Sequence, residues 1–169
     1  MNITAERQGN TVKIKGAFTR PGNTTAYLAN QAVNNSVSAP AVISFTGVAR
    51  LKGGSGYFTT AKIQTSQVGN VARYRLHLFT QATPTIPVDG AAYTLKWADR
   101  AIYVGCITFP AAATEGAGSD TAYAIANNIM LGYVADPADA NLYGLLETLD
   151  GFTPDNAQNF DIALIAENN

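Results

Sequence analysis

Histidine, cysteine and tryptophan occur once each in these 169 residues, and methionine only twice. A lone Cys106 excludes an internal disulfide and a thiolate metal cage, and a lone His77 excludes the multi-imidazole sites that hold zinc. Charge is scarce as well: 14% of residues are charged, 11 basic against 12 acidic, for a formal net charge of −1. No basic cluster interrupts the chain, so it lacks the electrostatic footprint of a nucleic-acid binder. Apolar runs are short. The opening "MNITAERQGNTVKIKG" has no leader-like core, and nowhere do about eighteen apolar residues follow one another. The expectation is a protein made in the cytoplasm that spans no membrane, with no cofactor and no metal.

What the chain does have is apolar bulk and punctuation. At 47% hydrophobic it can bury enough surface to offset the entropy of ordering the backbone. Turn signals recur every eight to twelve residues or so, at Gly9-Asn10, Pro21-Gly22-Asn23, Gly53-Gly54, Gly69-Asn70, Asp89-Gly90, Asp136-Pro137 and Asp150-Gly151. Such a rhythm belongs to all-β sandwiches, because Gly, Asn and Asp tolerate the positive φ of tight turns. The fold expected is a single antiparallel β-sandwich over residues 1–169 with about nine or ten strands. Residues 1–39 offer an N-terminal arm.

Between turns the side chains alternate. In "ARYRLHLF", Tyr74, Leu76 and Leu78 share one face while Arg73, Arg75 and His77 share the other, the period of a strand with one wet face. "AAYTLKWAD" alternates similarly, with Tyr93 and Trp97 on a core face. "YFTTAKIQTSQ" and "VARYRLHLF" flank Gly69-Asn70 as a hairpin. The runs "APAVISFTGVARL", "RAIYVGCITF" and "NFDIALIAE" are apolar enough for central strands, with Cys106 an inert core thiol. In "DANLYGLLETLDG" the leucines at 142, 145, 146 and 149 have helical spacing, with Asp139 available as N-cap. Gly144 in the middle argues against a helix, and a strand fits too.

Catalysis finds little purchase. His77 is the one candidate general base, and Arg73 and Arg75 beside it disfavour the imidazolium a hydrolytic triad must form. No Gly-x-Ser-x-Gly elbow is present, and "GGSGYF" lacks the lysine of a phosphate loop. Glu115 with Asp120, and Asp136 with Asp139, are loop carboxylates without regular calcium spacing. Twelve acids could supply a glycosidase pair by chance alone. Of Tyr57, Tyr93 and Trp97, only Tyr57 sits at a rim where a sugar could stack.

Taken in order, "GGSGYFTTAKIQTS", "ARYRLHLFTQATPTIPVDGAAYTL", "DRAIYVGCITF" and "NLYGLLETLDGFTPDNAQNFDIALIAE" resemble a family of tailed-bacteriophage head decoration, or cement, proteins, over about residues 40–167. The resemblance implies a jelly-roll-like sandwich in which "NLYGLLETL" is a strand. It also implies a non-enzymatic virion protein on the capsid surface, a homotrimer whose partner is the major capsid protein. The contact elements expected on that reading are the segment to about Gln31, including Arg20 and Pro21, and the loops with Pro84 and Pro87. The strand row Arg73, Arg75, His77 faces water or a partner. A carbohydrate- or receptor-binding module of a tail or baseplate is the alternative, and a hydrolase using loop carboxylates is a third.

Overall fold

The computed structural model describes the backbone of residues 6–169 and the side chains from residue 9 onward. Met1 to Ala5 lie outside the described residues. Ten strands follow in order: β1 (Glu6–Gln8), β2 (Thr11–Thr19), β3 (Gln31–Val33), β4 (Ile43–Phe45), β5 (Ser55–Thr65), β6 (Tyr74–Phe79), β7 (Tyr103–Thr108), β8 (Ala122–Val134), β9 (Leu142–Thr148) and β10 (Asn159–Asn168). A single 3-10 turn, Trp97–Ala101, precedes β7. No described helix is long and apolar enough to cross a membrane.

The first sheet runs β1-β2-β10-β5-β8 and the second β3-β9-β6-β7, with β4 also paired to β9. All pairings are antiparallel. β3 and β4 lie along the same flank of β9, one beside Leu146 to Thr148 and the other beside Leu142 to Gly144. Counted as one broken strand, and with β1 set aside, they leave four-stranded sheets in the order first-eighth-third-sixth and second-seventh-fourth-fifth. That is the two-sheet jelly roll.

The core forms where the inward faces meet. Val12 and Ile14 of β2, Phe58 and Ile63 of β5, and Phe160 and Leu164 of β10 face Tyr74, Leu76 and Leu78 of β6 and Leu142 and Leu146 of β9. Each ring or branched chain buried so contributes roughly 1.5–3 kcal/mol. The Phe45 ring sits between two glycines: a methyl group on Gly16 would lie 2.9 Å from its Cε1, and one on Gly144 2.8 Å from its Cε2. Gly144 is therefore a packing requirement of β9. The buried Tyr74 hydroxyl is satisfied by Asn70 Nδ2 at 2.8 Å.

Several sequence expectations need correction. β5 and β6 form no hairpin; they belong to different sheets, and Gly69-Asn70 lies in the crossing between them. The Asn70 side chain accepts from Ala72 N and donates to Tyr74, which holds that crossing. "AAYTLKWAD" is loop and 3-10 turn, not strand, and Trp97 is 79% exposed. β7 is an edge strand and β4 a three-residue flank, so of the three apolar runs only β10 is a central strand of its sheet's main path. Edge placement leaves Cys106 exposed rather than buried. The arm expected from residues 1–39 carries β1, β2 and β3, and β2 pairs along its length with β10.

β9 is a strand, against its helical leucine spacing. Its burial on both faces has a cause in residues 80–102, which cross the outer face of the second sheet. Ala32 N donates to Ala91 O at 2.8 Å, and Tyr93 N donates to Asn30 O at 2.9 Å. With that strap above and the first sheet below, β9 carries leucines on both faces, Leu142 and Leu146 on one and Leu145 on the other, which hides its period of 2.

Candidate functional site

Three groups of side chains bear on function. The first is the row of Arg73, just before β6, and Arg75 and His77 on the outer face of β6. Strand alternation aims all three the same way, but their surroundings differ. Arg73 is exposed and grips Asp150 twice, Nε to Oδ2 at 2.9 Å and Nη2 to Oδ1 at 2.8 Å, while its backbone N–H donates to the same carboxylate. Those donors hold the Asp150 carboxyl down to about 2. Arg75 is half exposed and reaches Glu147 Oε2 at 3.4 Å.

His77 is buried, contrary to the solvent-facing reading, because the strap covers it. Its Nε2 lies 2.9 Å from Glu147 Oε2 and its Nδ1 3.1 Å from the Tyr103 hydroxyl. One neutral tautomer satisfies every group: Nε2–H donates to Glu147, and Nδ1 accepts from Tyr103. Burial is the largest influence on the ring and pushes its pKa below 6.5, against the opposing pull of Glu147. Cys106 faces His77 across the β6–β7 register, but its polar neighbour is the Tyr103 hydroxyl. Both ring nitrogens of His77 already have partners, so neither is free to serve as general base to the thiol. The cluster fastens β6, β7, β9 and the strap together.

The second group is the expected contact residues. Arg20 is 3% exposed. Its Nη2 pairs with Asp89 at 3.0 Å, its Nε donates to the Tyr27 hydroxyl, and that hydroxyl donates to Asp89. Asp89 also accepts from Asn34 N at 2.9 Å. Pro84 is buried, and Pro21 and Pro87 are half-buried. Arg20 and Pro84 therefore offer a partner no side-chain surface; Arg20 instead locks the end of β2 to the strap.

The third group is the loops at that end of the sandwich. Tyr27 N donates to Phe152 O at 2.8 Å, and Gln67 Nε2 donates to Thr153 O at 2.7 Å. Phe152 stacks on Tyr27 at 4.9 Å between centroids and meets Tyr74 edge-on at 5.9 Å. On these interlocked loops Leu28, Val68 and Val71 project into solvent, Leu28 and Val71 each 70% exposed.

The remaining candidates are accounted for locally. Asp136 accepts from Gln81 and Ala138, and Asp139 from Ala140, Asn141 and Tyr143; both close their own turn. Glu115 accepts from the Tyr123 hydroxyl. Tyr57 is half-buried on β5. Among the described residues no three His, Cys, Asp or Glu side chains converge to hold a metal ion.

Sequence reasoning missed Asp89 as the partner of Arg20, Asp150 as that of Arg73, and Glu147 as that of Arg75 and His77. One signal was available: Phe79 shares the face of His77, and an aromatic there marks a covered surface. No protein-family model matches the chain, and no curated protein matches it.

Proposed function

We propose that the chain is a non-enzymatic virion structural protein that binds the outside of a tailed-phage head and stabilises it, as a homotrimer in contact with the major capsid protein. The observation that carries this reading is the rigid loop end bearing Leu28, Val68 and Val71. Loops tied to each other and to the core lose little freedom on docking, so apolar side chains held on them can bind without a large ordering cost. The resemblance along residues 40–167 and the thinly charged surface support the same reading. A protein that binds the assembled shell and not its separated subunits stabilises the shell by mass action.

The test is co-sedimentation with purified heads stripped of the protein. A Val68→Asp, Val71→Asp double variant should fold and fail to sediment with heads. Undiminished sedimentation would reject this end as the contact.

One observation favours a second reading, a glycan- or receptor-binding module. Trp97 stands on the strap in open solvent, although the Arg100 guanidinium already covers one ring face at 4.6 Å. A glycan array on which the wild type binds and Trp97→Ala does not would support that reading and displace the first.

A further inference from the structure

The outer face of the first sheet is open and concave, and a groove of about 850 Å³ crosses it. Directly opposed residues in antiparallel strands share a face, so the pairings give its layout. On β10, Ala163 lies between Lys15 of β2 and Lys62 of β5, and Ile165 lies between Lys13 and Thr60. Asp161 lies between Ala17 and Gln64, and Lys62 is opposed on its far side by Ile125 of β8. Along the centre, on β10, Ala163 and Ile165 form the floor. Lysines form both banks, Lys13 and Lys15 on one and Lys62 on the other.

The charges are ordered along the groove. Among the described residues Lys15 forms no ion pair, and Lys62 Nζ donates to Gln64 at 2.9 Å; Lys13 is opposed on its far side by Glu6 of β1. The carboxylates on the groove, Asp161 and Asp120, lie at the end beside Thr65 and Phe160. Glu167, beyond Lys13 at the opposite end, accepts from Thr11 Oγ1 at 2.7 Å.

We propose that this groove binds an extended acidic segment of a partner protein, laid along β10 between the two lysine banks. Side chains on one face of an extended strand recur about every 6.8 Å, which is also the separation of Lys13 and Lys15. Acidic residues at alternate positions therefore meet one lysine each, while the residues between them point away from the sheet. Asp161 and Asp120 at one end and Glu167 at the other repel acid and so confine the acidic residues of the segment to the lysine stretch. The rings that border the groove, Phe18 and the buried Phe160, stack on each other at its acidic end, away from the lysines, which favours a peptide over a glycan or an oligonucleotide. That the partner is a capsid subunit rests on the function proposed above; the preference for an acidic strand does not.

The test is a titration of the intact protein with a short fluorescent peptide alternating Glu and Val, followed by anisotropy and by amide NMR shifts. Binding should weaken as salt rises, and the shifts should fall on β2, β5 and β10. The Lys15→Glu, Lys62→Glu double variant, checked for an unchanged melting midpoint, should bind about tenfold or more weakly. If that variant fails to fold, the salt dependence and shift map of the wild type decide alone. Shifts confined elsewhere, salt-independent binding, no binding, or binding by a short single-stranded oligonucleotide in place of the peptide would overturn the proposal. Head co-sedimentation, run in parallel, separates a failure of the groove from a failure of the proposed function.

Discussion

Tyr93 lies flat on His77, with ring centroids 4.1 Å apart and planes 17° from parallel. The stack pins the strap to β6 and removes the imidazole from water. Its protonation is the first point at which solution conditions should reach the fold. The unfolded chain takes up this proton near 6.5 and the folded chain below it, because burial lowers the ring's pKa. Below 6.5 the unfolded state therefore binds more protons, and stability falls as pH drops through 6.5 toward the folded value. The melting midpoint should be lower near pH 5.5 than near pH 7.5, and His77→Gln should remove most of that difference. Equal midpoints in the wild type would mean that the ring protonates without cost.

The Phe45 ring between Gly16 and Gly144 supports a second prediction. Replacing a strand glycine by alanine ordinarily gains stability, since glycine loses the most freedom on folding. Here the added methyl group collides with ring carbons, and Gly144→Ala should cost about 1–3 kcal/mol by overpacking. Adding Phe45→Leu should recover part of the loss in urea unfolding. A stabilised single variant would show that the ring moves freely.

Among the described residues Asp89 is the sole carboxylate paired with the buried guanidinium of Arg20. Asp89→Ala leaves that charge without its partner, and breaking a buried pair in this way costs about 3–5 kcal/mol. Thermal unfolding should show a large drop in midpoint. A change of less than about 1 kcal/mol would mean that water reaches the cation.

Arg73 and Trp97 should behave in the opposite way. The Arg73–Asp150 pair is exposed, and water screens such pairs so that they add little to stability. Trp97 is largely exposed on its turn, with Arg100 over one ring face. Arg73→Ala and Trp97→Ala should each leave the denaturation midpoint nearly unchanged, whereas a core tryptophan would have cost about 3–5 kcal/mol.

How much of this was legible in the sequence depends on what each residue's neighbours are. Turn spacing and alternation were sufficient for the sandwich, because Gly, Asn and Asp mark turns locally and β10 and β6 show their inner faces plainly. Pairing was not legible. A Gly-Asn turn between two strand-like segments looks the same whether the chain folds back in one sheet or crosses to the other, and β5 and β6 cross. The basic row was misplaced at His77 because its cover comes from Tyr93, sixteen residues on and alternating like a strand without being one. Arg20 looked like a surface residue because its partner Asp89 is remote in sequence. The leucines of β9 resembled a helix because a strand covered on both faces has no polar side to reveal its period.

β10 lies between β2 and β5, and it is the last strand along the chain. Until residues 159–168 have left the ribosome, the first sheet has no centre: β2 and β5 do not touch each other, and each waits with an open apolar edge. The second sheet has all its strands earlier. Synthesis therefore sets the order of events, with one sheet able to gather while the other stays open. Distant pairing of this kind is slow, and unpaired strand edges in a half-made chain invite aggregation.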